Sequence, residues 1–107
     1  MFLITPDQKI IITKGDTASF NITITDKDNK PVPMYLGDSI VLTVKKNAAS
    51  EEVISREAEE GSINLLPSDT AELAAGVYVY DIKLLRNNGA VFTVVPINRF
   101  EIMETVG

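Results

Sequence analysis

Asp26-Lys27-Asp28-Asn29 is the stretch whose residue types and spacing come nearest to metal chemistry, because alternate acidic and amide side chains present oxygens as a calcium loop does. The pattern then breaks. Lys30 takes the third ligand place, Pro31 stands where the turn glycine belongs, and Gly37 occupies the position of the bidentate glutamate. The expected reading is a solvated turn, with no metal and no cofactor. Asn21-Ile22-Thr23 has the form of a glycosylation acceptor but falls inside a run that alternates like a strand, so it reads as accidental.

Other chemistry finds no constellation of residues. The chain of 107 residues has neither cysteine nor histidine, which removes thiolate ligands, disulfides, the usual general base and the usual pH switch. Five glutamates between Glu51 and Glu60 cluster in one exposed run, without the paired geometry or flanking aromatics of a glycosidase. Serines lack a histidine partner and no glycine-rich loop follows a strand, so nucleophilic and phosphoryl-transfer enzymes are disfavoured. A net charge of -5 opposes attraction to nucleic acid or anionic lipid. Met1-Phe2-Leu3-Ile4 is cut off by Thr5-Pro6-Asp7, too short for a signal peptide or a membrane span. The expectation is a non-enzymatic domain with no membrane and no nucleic-acid partner.

The elements that remain are strands. Ala75 to Leu85 is the longest β-forming run and reads as the central strand, with Tyr78, Tyr80, Ile82 and Leu84 on its core face. Ala18, Phe20, Ile22 and Ile24 alternate within Thr17 to Thr25, and Ile40, Leu42 and Val44 within Ser39 to Lys46. Shorter runs at Lys9 to Lys14, Val53 to Glu57, Gly61 to Leu66 and Asn98 to Glu104 complete the pattern, and Val32 to Leu36 reads as a loop. Asn88-Gly89 predicts a tight hairpin that returns Ala90 to Val95 along the central strand, until Pro96 ends the pairing. Ser68 to Ala74 fits one helical turn, capped by Ser68 or Asp69 with Glu72 completing a capping box. Met1 to Ile4 either adds a short strand or extends as an arm onto a neighbouring subunit.

The fold class that follows is all-β: one domain over residues 1–107, a two-sheet antiparallel Ig-like β-sandwich with one short helical turn. Its predicted core contains Phe20, Ile22, Ile40, Leu42, Tyr80, Ile82 and Phe100. Tyr78, entering its strand after a helical turn, fits a tyrosine corner, whose hydroxyl bonds backbone a few residues upstream. The opposite face of the central hairpin is also apolar, at Val77, Val79, Leu85, Val91 and Val95. A sheet facing water shows polar residues there, so the expectation is that the Met1 to Ile4 and Val32 to Leu36 segments cover this face or that it is a subunit interface.

Lys14-Gly15-Asp16 before one strand, Gly37-Asp38 before the next and Gly76-Val77-Tyr78-Val79-Tyr80-Asp81-Ile82 in the central one make a layout that spans roughly Ile10 to Ile102. In this layout the chain resembles small Ig-like β-sandwich proteins of phages and prophages of Gram-positive bacteria, and is similar to the N-terminal domain of lactococcal-phage baseplate upper proteins. The resemblance implies a virion component, in the tail, the baseplate or on the capsid, found in the particle or in the host cytoplasm during assembly. It also implies other virion or assembly proteins as partners, and a homo-oligomer fits the same reading. Because the sequence ends at Gly107 without a long receptor-binding region, a stand-alone virion or morphogenesis protein is expected. A carbohydrate-binding or adhesion module is the alternative, weakened by the lack of tryptophan and by only three tyrosines.

Overall fold

In the computed structural model, which describes residues 1–106, apolar alternation becomes eight strands and one helical turn. In chain order these are β1 (Phe2–Ile4), β2 (Ile10–Thr13), β3 (Ala18–Asn21), β4 (Ser39–Lys45), β5 (Glu52–Glu57), β6 (Ser62–Leu65), α1 (Pro67–Ala71), β7 (Gly76–Leu85) and β8 (Val91–Met103). Met1 to Ile4 thus adds a strand rather than an arm. Six strands form one sheet in the order β1-β2-β8-β7-β4-β5, and β3 pairs only with β6 in a second sheet. The expected two-sheet β-sandwich with one helical turn is therefore the fold. All ladders are antiparallel except β2–β8, which is parallel with Ile10 opposite Phe100. Two strands so far apart in sequence are free of the hairpin constraint that forces antiparallel neighbours.

Strand β7 is central, bonded to β8 on one side and β4 on the other, and places Tyr78, Tyr80, Ile82 and Leu84 inward as the alternation requires. Ile40, Leu42, Tyr80, Ile82 and Phe100 are buried as expected, joined by Ile10, Ile12, Ile63, Leu65 and Ile102. Each such side chain contributes roughly 1.5–3 kcal/mol by leaving water. The Tyr80 ring meets Phe100 edge-on, with centroids 6.3 Å apart. Phe20 and Ile22, expected in the core, are only half-buried. The cause is the size of the second sheet, which sets two strands against six and so leaves its own inner side chains at the margin.

One turn, one helix start and one strand end differ from their sequence reading. The β7–β8 connection is not a two-residue loop: Arg86 N–H donates to Ala90 O and Gly89 N–H to Arg86 O, with Gly89 at φ +91. This is the three-residue type that ends in a left-handed residue, so glycine serves there as the bulge position. Helix α1 starts one residue earlier than predicted, with Leu66 as N-cap and Pro67 in the first turn. Its cap is Asp69, whose carboxylate accepts the Leu66 N–H at 2.8 Å, rather than a capping box completed by Glu72. Strand β3 leaves its ladder after Asn21, four residues before the alternation ends.

Candidate functional site

The central hairpin puts its expected contact residues on two faces, not one. Val77, Val79, Leu85 and Val91 lie on the outer face of the large sheet, where Val77 and Val91 are 46% and 57% exposed and the other two are half-buried. Val95 is a correction: it is buried on the inner face opposite Ile82. The β7–β8 register shifts between Tyr80 and Ile82 and again between Ile82 and Lys83, so simple alternation along β8 fails. Pro96 sits at the first shift; a residue without an N–H is accommodated where the ladder bulges. Between the shifts and the turn the register is regular, so Phe92 follows the alternation inward, opposite the buried Leu84.

The outer face mixes apolar and charged side chains. Asp81 and Lys83 approach to 3.9 Å and Arg99 pairs with Glu101 at 2.5 Å. In register, Val79 stands between Lys45 on β4 and Arg99 on β8. Neither segment expected to cover this face does so. Residues 2–4 extend the edge of the sheet, and the Val32 to Leu36 loop is tied to the hairpin tip.

That tie is dense. Arg86 donates to Pro33 O at 2.9 Å and to the Asp38 carboxylate at 2.7 Å, while the backbone N–H groups of Tyr35 and Asn87 also donate to Asp38. The Tyr35 N–H foremost, then Arg86 and Asn87, hold the Asp38 carboxyl below its ordinary pKa. Asn87 also donates to Leu36 O. Met34, Tyr35 and Leu36 are thereby held out into solvent, with Leu36 97% exposed. Nothing in the alternation of the sequence singles out this apolar loop end, because its conformation depends on contacts with residues some fifty positions away.

On the inner side the two-stranded sheet leaves a cleft of about 680 Å³, walled by Phe20, Ile22 and Ile24 on one side and by Ile82, Leu84 and Phe92 on the other. Phe2 stacks on Phe20 with centroids 5.8 Å apart. No group of three potential metal-ligating side chains gathers among the described residues, and none of their helices is long and apolar enough to cross a membrane. Tyr78 keeps its predicted corner role: its hydroxyl donates to Ala74 O at 2.8 Å, and Lys46 lies 4.6 Å over its ring.

No family model matches the chain, and no curated protein does. Among solved structures, the crystal structure of CopC from Methylosinus trichosporium OB3b is similar at a TM-score of 0.41 and 15% identity, covering 67% of this chain and 72% of that one. A likeness this loose carries no argument about function.

Proposed function

We propose that the protein is a non-enzymatic virion or morphogenesis component of a phage or prophage, acting by docking and self-association through the outer face of its large sheet. The observation that supports this reading is the uncovered outer face itself, with Val77 and Val91 open to solvent beside Val79 and Leu85. The resemblance of the Lys14-Gly15-Asp16, Gly37-Asp38 and Gly76-to-Ile82 segments to phage Ig-like domains supplies the biological setting. Six strands spaced at about 4.8 Å make a face about 25 Å across and about 30 Å along the central strand. That is close to the roughly 800 Å² that each partner buries in a standard interface. The Asp81–Lys83 and Arg99–Glu101 pairs give this face both signs of charge, which a second copy can meet with opposite rather than like charges.

Val79→Glu and Val91→Glu, made separately, test the reading by light scattering and circular dichroism. The expected result is loss of the oligomer with the fold intact, because the new Glu at position 79 lies between Lys45 and Arg99 in register. A parent protein that stays monomeric at high concentration overturns self-association, and absence of the protein from purified particles overturns the virion role. The carbohydrate-binding alternative rests on Tyr35, a single ring 61% exposed with Arg86 5.6 Å away; a glycan-array screen decides it.

A further inference from the structure

The cleft on the inner face has an edge that no element of the described chain pairs with. Ile22 N–H donates to Gly61 O at 2.7 Å, in line with the pairing of Phe20 to Ile63 and Ala18 to Leu65. Further on, Ile24 O accepts from Val32 N–H and Asp26 N–H donates to Lys30 O, both at 2.9 Å. The even-numbered residues from 18 to 26 thus direct their backbone groups to the β6 and Pro31 side. In an antiparallel strand the odd-numbered residues direct theirs the other way. For Asn21 and Thr23 that direction is the cleft, which both residues line.

We propose that this cleft accepts one extended, uncharged segment of a partner polypeptide, added as a strand beside β3, with alternate apolar side chains laid over the inner face of β7 and β8. Three observations select this occupant. Backbone donors and acceptors on an open edge are satisfied by a strand and not by a helix or a lipid chain. Arg86 is the one charged residue lining the cleft, and Asp38 already neutralises it at 2.7 Å, so a charged insert would find no counter-charge there. The cleft runs along the consecutive residues Phe20 to Thr25, a stretch that a partner strand of about four to six residues would match at roughly 3.3 Å per residue. Phe92, turned inward yet 55% exposed, is the side chain such a strand would cover. The site lies on the opposite side of the large sheet from the proposed self-association face and holds whether or not that face associates.

The test uses a capped synthetic octapeptide of alternating threonine and valine with a lysine at each end, and the same peptide N-methylated at alternate positions. Titrated into the isotopically labelled protein, the first should shift the amide signals of Asn21 and Thr23 and slow their hydrogen exchange, which should be fast in the free protein. The N-methylated peptide should bind at least tenfold more weakly, and Phe92→Asp should weaken the parent peptide while leaving the unfolding midpoint unchanged. Equal binding of the two peptides overturns strand pairing. Slow exchange of Asn21 and Thr23 in the free protein, or no shifts at millimolar peptide, overturns the site. Concentration-dependent self-association abolished by Phe92→Asp would make the occupant a second copy and overturn the partner assignment. None of these outcomes depends on Val79 or Val91, so failure here is separable from failure of the outer-face reading.

Discussion

Thr70 Oγ1 accepts the Gly15 N–H at 2.8 Å, joining the helical turn to the β2–β3 corner across fifty-five positions of sequence, and Thr70 is fully buried. Thr70→Val keeps the shape and deletes the acceptor, leaving that N–H without its partner. The expected loss is about 1–3 kcal/mol of unfolding free energy by urea titration. Thr70→Ser should retain most of the stability, and a larger loss in Thr70→Ser than in Thr70→Val would mean that the methyl packing, not the hydrogen bond, matters.

Periodicity carried the long strands. Tyr80, Ile82 and Leu84 face inward because Val79 to Leu85 keep register with β4 over seven pairs without a break, and Tyr78 continues the same alternation. It failed where an event local to one strand resets the count. Val95 goes inward because β8 bulges about Pro96, and Phe20 and Ile22 stay half-buried because β6 is the only partner of β3 among the described residues. The cleft and the clamped apolar loop were invisible for a related reason. One follows from the unequal size of two sheets and the other from the reach of Arg86 to Asp38, and neither leaves a repeat in the sequence.

The Asp38 clamp gives an acid-sensitive end to the domain. Its carboxyl pKa lies below the ordinary aspartate value, so its contribution is present above about pH 4 and is lost as pH falls through the lowered folded value. The protection of the Tyr35 and Asn87 amides, relative to their intrinsic exchange rates, should fall below that pH while β7 amides stay protected. Asp38→Asn should show the fast exchange at neutral pH. Gly37 adds a steric check: at φ +90, a Cβ would lie 2.9 Å from the Asn87 Cβ, so Gly37→Ala should loosen the same end.

Calcium and chelator should leave the melting temperature unchanged. The Asp26 carboxylate is already committed to the turn, accepting the Asp28 N–H at 2.8 Å and the Lys30 N–H at 3.1 Å. A cation there would compete with both bonds while gaining too few oxygens for its usual six to eight. A reproducible rise of several degrees on adding calcium would show that the Asp26 to Asn29 turn, or the glutamates around Val53, gather an ion.

Tyr80 should govern stability at high pH. Burial pushes its phenol up to about 12, since the charged form has little access to water, and its hydroxyl donates to Gln8 O in the β1–β2 connection. The unfolded chain releases this proton near pH 10 and the folded one near 12, so between those values the unfolded state binds fewer protons and stability falls as pH rises. Two units correspond to a loss of up to about 2–3 kcal/mol, complete above pH 12. Tyr80→Phe should flatten most of this decline in urea titrations between pH 9 and 12, while losing the bond to Gln8. Tyr80→Ala should cost roughly 3–5 kcal/mol at neutral pH by emptying the site against Phe100. A Phe variant that declines as steeply as the parent would place the alkaline sensitivity on other groups, such as the lysines, and remove Tyr80 as its source.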